Sequence, residues 1–345
     1  MNMEITIILI ASLISVFTVF LTYSKIRDYL NAIGIHGIDK QKKEEPKIPS
    51  GGGTLPALAT FVGIMAFLLL AVFLVPLELN FKLILGATLT ITIITFVGFL
   101  DDIYVVDEEH KAKTGTKQIR KGLSQFSKSI MVLPGSIPLI IAVAHQSTLQ
   151  LPVIGALEVG LIYPLILVPI GVLCVANASN MLAGQNGLEA GMGFIALLGL
   201  GIFSLMVNQV EAAAVAIISA AALLAFERYN WAPASILPGD SLTYFRGACI
   251  AAVVIIGNIE AFGIIIFIPW IVEAFIKASQ KFQASSLGRI TERGTLKPVN
   301  NRIESLNHFI MSLGDFTEKQ IVSIFLIIEA FFVALGFGLY YLGFV

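Results

Sequence analysis

Residues 81–102 read FKLILGATLTITIITFVGFLDD, a twenty-residue run with one charge, Lys82, that ends on two adjacent aspartates, Asp101 and Asp102. A bilayer core about 30 Å thick accepts roughly 20 apolar residues as one helix. The run has the length of a single crossing, and the aspartates mark its end. Nine further stretches share this character, which gives ten in all: 4–23, 54–76, 81–100, 128–146, 160–179, 187–207, 211–226, 246–259, 260–277 and 321–344. Two boundaries divide longer apolar runs, at Asn208–Glu211 and at Gly257–Glu260.

Composition agrees. Of 345 residues, 57% are hydrophobic and 13% charged, with a mean hydropathy of +0.87, whereas soluble domains carry about 25% charged residues. So little polar surface cannot cover the two soluble cores that the length suggests, and a bilayer must do it. The fold expected is all-α: a polytopic integral membrane protein of about ten transmembrane helices, forming one membrane-embedded domain over residues 1–345. The first stretch lacks a basic leader and a small-residue cleavage site, and reads as a retained span. A net charge of −1 excludes a broad basic face for nucleic acid. Cys174 and Cys249 sit in apolar runs without metal-like spacing and read as buried thiols.

Charge sets the orientation. With ten spans, segments 24–53, 101–128, 227–246 and 277–319 fall on one side and hold 21 of the 22 Lys and Arg; Lys82 is the exception. The positive-inside rule then places loops 24–53, 101–127, 227–245 and 278–320 in the cytoplasm, with the short loop 180–187, and both termini outside.

Three polar clusters collect at that face. In FVGFLDDIYVVDEEHK (96–111), two negative charges at a helix C-terminus oppose its macrodipole. The acids mark either a solvated helix end or a site with a metal ion or cationic partner, for which Lys111 is a candidate. In NASNMLAGQNGLEAG (177–191), Asn177 and Asn180 share a helix face. Gly184 and Gly187 permit close backbone approach to a ligand, with Asn186 and Glu189 beside them. Asn177 reads equally well as a helix cap. In ERYNWAPASILPGDSLTYFRG (227–247), Asp240 follows a Pro–Gly turn. It is either the cap of the next helix or a hard oxygen ligand for Mg²⁺. The basic segment 278–320 suits anionic headgroups, and His308 within it reads as a surface residue.

FVGFLDDIYVV, NASNMLAGQNGLEAG and YNWAPASILPGDSLTYFRG, in this order and at these depths, resemble the polyprenyl-phosphate N-acetylhexosamine-1-phosphate transferases. The nearest branch is the eukaryotic and archaeal one that makes GlcNAc-pyrophosphoryl-dolichol. The resemblance covers nearly the whole chain, and it implies a reaction. A polyprenyl, by branch dolichyl, phosphate attacks the β-phosphorus of UDP-GlcNAc and releases UMP, the first step of lipid-linked glycan assembly and protein N-glycosylation. It implies Mg²⁺, with Mn²⁺ as the alternative ion, held by Asn180 and Asp240. Asp101, Asp102 and Lys111 would line the attack side. Gly184 and Asn186 would meet the uracil, Asn177 and Glu189 would complete the substrate cleft, and Arg289 would approach the pyrophosphate and sugar. The last loop departs from the pattern: it reads LGRITERG (287–294), where eukaryotic relatives carry an Arg-His-Arg cluster. The membrane is the cell membrane in a prokaryote or the endoplasmic reticulum in a eukaryote, and a homodimer is compatible with the sequence. The rival reading is an ion-coupled transporter, which calls for acids near the midplane; here they gather at one face. The D-G-x-x-A-R motif of CDP-alcohol phosphotransferases and the paired D-x-x-x-D motifs of prenyltransferases are absent.

Overall fold

The computed structural model describes residues 3–75, 77–104, 106–112, 115–121, 125–282, 285–299 and 302–345, with the backbone alone for 106–126 and for 129. Helix α1 (Met3–Ala32) leads through strands β1 (His36–Ile38) and β2 (Lys47–Pro49) to α2 (Thr54–Phe73) and α3 (Phe81–Ile103). Strands β3 (Val106–Ala112) and β4 (Gly115–Lys121) precede α4 (Gln125–Val132), a 3-10 turn at Leu133–Ser136, and α5 (Ile137–Ala142). Strands β5 (Thr148–Leu151) and β6 (Gly155–Glu158) follow, then a π-helical turn, Tyr163–Leu167, that runs into α6 (Val168–Met181). Next come α7 (Leu188–Met206), α8 (Val210–Asn230), α9 (Gly239–Gly257), α10 (Glu260–Ile266) and α11 (Ile268–Ser279). Strands β7 (Gly288–Ile290) and β8 (Leu296–Pro298), α12 (Leu306–Leu313) and α13 (Glu318–Tyr341) complete the chain. Among the described residues the strands form four separate antiparallel hairpins between helices.

Among the described residues, eight helices are long and apolar enough to cross a membrane, and α10 with α11 makes a ninth, bent by 62°. The remaining expected stretch, 128–146, is a shorter apolar helix, Ile130–Ala142, broken by the 3-10 turn. Pro134 and Pro138 lack the N–H groups that a continuous ladder needs. The same cause bends the ninth span, where Pro269 is the second residue of α11. It also widens the start of α6, where Pro169 cannot donate to the Leu165 carbonyl. The two divided runs part as expected: Asn208 and Asn258 both adopt left-handed backbone, which asparagine tolerates.

Within α3 three of the four threonines return their hydroxyls to the carbonyls four residues back, Thr88 to Ile84, Thr92 to Thr88 and Thr95 to Ile91, while the buried Thr90 hydroxyl makes no such bond. Those three hydroxyls are thereby satisfied inside an apolar helix. Helix α9 is the hub. Buried residues make up 83% of its apolar window against 28% of that of α13, and it packs on α3, α6, α7 and α8. Small residues allow this. A Cβ on Gly247 would stand 2.8 Å from the Ala176 backbone of α6, and one on Gly98 of α3 would stand 2.6 Å from the Asp240 carbonyl.

The segments expected on one face do meet at one end of the bundle. Gly52 N–H donates to the Leu237 carbonyl and Leu237 N–H to that of Pro49. Gln41 bridges the Gly184 carbonyl and the Gly288 N–H, and Lys42 pairs with Glu318. At the other end, the Asn80 N–H meets Glu211, and Tyr163 bonds Glu260.

Candidate active site

Asp101 and Asp102 close α3, and Asp240 opens α9. The turn before α9 puts Gly239 at φ +70°, so close to the acid pair that a Cβ there would lie 2.4 Å from Asp102 Oδ2. Only glycine fits. The two aspartates then divide their work. Asp102 accepts the Asp240 N–H on Oδ1 at 2.7 Å and the Ser241 N–H on Oδ2 at 3.0 Å. It thus caps the N-terminus of α9 from a neighbouring helix, and its charge faces the positive end of that dipole. Asp101 instead pairs with Lys128 at 2.8 Å, and the same ammonium reaches Asp240 Oδ2 at 2.5 Å.

Asp240 is therefore not the cap of its own helix; its carboxylate faces the cluster. Asn180 Nδ2 donates to Asp240 Oδ2 at 3.2 Å, while Asn180 Oδ1 accepts from Thr243 at 2.9 Å. One turn earlier, Asn177 donates to the Leu173 carbonyl and accepts from the Tyr244 hydroxyl at 3.3 Å. Lys128, Thr243 and Tyr244 belong to the cluster as well, although their sequence context does not single them out. Lys128 opens an apolar stretch and looks like a membrane-border lysine. The side chain of Lys111, the expected cationic partner, lies outside the described residues.

Asn177, Asn180, Gly184 and Asp240 line one end of a cavity of about 1350 Å³. It continues between α6, α9 and the bent pair α10–α11 to Tyr163, Glu260 and Leu151 at the opposite end. Ile170 and Phe275 on its rim are exposed, so the cavity opens on the outer surface of the bundle. Cys174 is exposed in its wall, and only Cys249 is a buried thiol.

The other expected residues lie elsewhere. Asn186 is buried among loops, its side chain donating to Asp39 at 2.7 Å and its N–H to Glu318 at 2.9 Å. Glu189 is buried too, and its Oε1 accepts the Gly184 N–H at 2.7 Å, which fixes that groove-lining turn. Arg289 is exposed on β7, paired in register with Lys297. His308 is not on the surface: it is buried, with Nε2 at 3.0 Å from the Leu287 carbonyl, and so anchors the segment before Arg289.

Among the described residues no three His, Cys, Asp or Glu side chains converge as a metal site. Mg²⁺ commonly takes one or two carboxylates and completes its shell with water and phosphate oxygens. Asp240 and Asn180 suit a cation that arrives with a phosphorylated substrate. As oriented, Asn180 turns its amide nitrogen to Asp240, so a 180° flip presents the oxygen.

Fold and site define a polytopic membrane enzyme whose carboxylates, amides and ammonium meet at the end of an apolar groove. The description of glycosyl transferase family 4 matches residues 84–258, which hold Asp101 through Asp240. A protein of Saccharolobus solfataricus is 31% identical over 337 residues, covering 97% of each chain, and is provisionally named a UDP-N-acetylglucosamine–dolichyl-phosphate N-acetylglucosaminephosphotransferase. A Dictyostelium discoideum protein of that name is 24% identical over 368 residues, 93% of this chain and 86% of its own. The phospho-N-acetylmuramoyl-pentapeptide-transferase of Petrotoga mobilis is 28% identical over 325 residues, 93% of each chain. The chain belongs to glycosyl transferase family 4. Its activity is that of a glycosyl-1-phosphate transferase.

Proposed function

We propose that this chain transfers N-acetylglucosamine-1-phosphate from UDP-GlcNAc to a polyprenyl phosphate, dolichyl by branch, and releases UMP. The observation that carries the proposal is the Asp101–Lys128–Asp240–Asn180 cluster at the mouth of an apolar groove open to the bundle surface. A phosphate on an isoprenoid tail fits that pairing: the tail lies along the groove and the head meets the polar end. One acceptor oxygen forms a bond to the β-phosphorus, the bond from that phosphorus to the bridging oxygen breaks, and UMP leaves with both electrons. Both reactants are anionic, so positioning and charge neutralisation carry the catalysis. Lys128 supplies one positive charge at the groove end. A divalent cation, Mg²⁺ or Mn²⁺, would be held by Asp240 and Asn180 and would neutralise the pyrophosphate.

Asp101, which pairs with Lys128, would orient that ammonium and accept a residual acceptor proton. Lys111 joins Asp101 and Asp102 on the attack side, and Asn177, Asn186, Glu189 and Arg289 complete the proposal as substrate-side residues. Asn177 acts from the groove wall, Asn186 and Glu189 through the 184–187 turn, and Arg289 from the exposed loop. The chain acts as one membrane-embedded transferase unit with its site toward the cytoplasm, in the cell membrane or the endoplasmic reticulum. Purified protein with UDP-GlcNAc and a divalent cation should release UMP only when dolichyl or undecaprenyl phosphate is added. A panel of UDP-sugars and the two lipids ranks the substrates, and lipid-independent release of UMP would refute the acceptor.

A further inference from the structure

Arg246 is fully buried two turns into α9, six residues past Asp240. A buried arginine in a span is costly and persists where its charge is met. Here its fork grips another helix. Nε donates to Ser179 Oγ at 2.8 Å, and Nη2 donates to the carbonyls of Ser179 at 2.5 Å and Leu182 at 3.2 Å. Nη1 donates to the Glu189 carbonyl at 3.1 Å. The Ser179 and Leu182 carbonyls belong to the last turn and cap of α6, where the helix has no partners of its own and its dipole favours a cation. Ser179 completes the tie, its hydroxyl donating to the Thr243 carbonyl of α9 at 2.7 Å.

The guanidinium also lies over the Trp270 ring at 5.1 Å, just beyond the bend between α10 and α11. Glu329 of α13 is fully buried too, and neither of its oxygens has a hydrogen-bond partner. One side chain thereby joins the end of α6, the start of α7, α9 and the bent helix that walls the groove. The residue after Ser179 is Asn180, which reaches Asp240.

We propose that Arg246 is a positioning residue of the transferase: by clamping the C-terminal turn of α6 to α9 it sets Asn180 against Asp240. This rests on the reaction proposed above. The guanidinium is fully buried and does not line the groove, so its loss should act on the chemical step more than on substrate capture. Arg246→Lys keeps the charge but loses the fork. It should lower kcat for UMP release by about 100-fold, with KM for UDP-GlcNAc within about threefold of wild type.

The decisive readout is a double-mutant cycle with Thr243→Val, which removes the hydroxyl that orients Asn180. If Arg246 works through Asn180, the loss caused by Arg246→Lys shrinks markedly in the Thr243→Val background. Equal losses in both backgrounds, or a loss that follows the folded fraction alone, would overturn the proposal. Should Arg246→Lys fail to fold, Ser179→Ala removes the two bonds of the clamp made by the Ser179 hydroxyl and enters the same cycle with the same two outcomes. Wild-type protein that releases no UMP would count against the reaction, whereas active wild type with additive variants would count against Arg246.

Discussion

The carboxylate of Asp102 closes the N-terminus of the helix that carries Asp240, accepting that residue's own N–H at 2.7 Å. Two acids 138 residues apart in sequence thus act on one point: one sets where the other stands. A tandem aspartate pair usually reads as two equivalent ligands. Here the backbone of α3 sends Asp101 to Lys128 and Asp102 to α9.

That division gives the first prediction. Asp102→Ala strips two N–H groups of their charged acceptor and should cost about 2–3 kcal/mol of stability together with activity. Asp101→Asn should lose most activity while the melting temperature in detergent moves by only a few degrees. Gly239→Ala should be harsher than either on stability, because its Cβ meets the Asp102 carboxylate. Thermal melts beside specific activity test the order, and equal melts for Asp101→Asn and Asp102→Ala would contradict it.

Asp240 separates a ligand from a cap. Its side chain makes no capping bond in α9 and instead meets Lys128 and Asn180. Asp240→Ala and Asp240→Ser should both abolish turnover with the protein folded. A cap would be rescued by serine, with at most about 1 kcal/mol at stake. Activity of the serine variant near wild type would end the claim.

Lys128 sits between Asp101 and Asp240 and is itself buried. Lys128→Met leaves two neighbouring carboxylates without their cation, a change that typically costs about 3–5 kcal/mol when the pair is buried. Turnover should disappear, and Lys128→Arg should restore stability better than activity, since the wider fork changes the spacing of the two carboxylates. The melting temperatures and UMP release of the two variants decide this.

Much of the fold was legible because membrane length and charge are one-dimensional signals. The spans, the breaks at Asn208 and Asn258 and the gathering of basic segments at one end all follow from residue order. Other features were hidden by packing. The stretch that begins at Lys128 is apolar enough to read as a plain span, yet Pro134 and Pro138 break it and its first charged residue joins the site. Asn180, Gly184 and Asp240 stood out as amides, glycines and acids at a membrane border, whereas Thr243 and Arg246 look like ordinary residues at the start of a helix. Asn186, Glu189 and His308 carry polar groups suited to ligands but spend them on neighbouring loops.

Sidedness has its own test. The partition of 21 of 22 basic residues predicts that single cysteines at Ser50 and Ser147 react with an impermeant reagent from opposite faces, Ser50 from the cytoplasmic one. Labelling of both from the same side would sink the topology.

Direct transfer from donor to acceptor predicts a simple fate for the donor's β-phosphate, and following it is the most direct measurement available. UDP-GlcNAc labelled at that phosphate is supplied to purified protein with and without polyprenyl phosphate. With acceptor, the label should appear wholly in the lipid pyrophosphate and UMP should be unlabelled. Without acceptor, no UMP should form, no label should attach to protein, and added UMP should not exchange into the donor. Label on the protein, or lipid-free exchange that is lost on Asp101→Asn, would instead reveal a phospho-enzyme and contradict direct attack by the lipid phosphate.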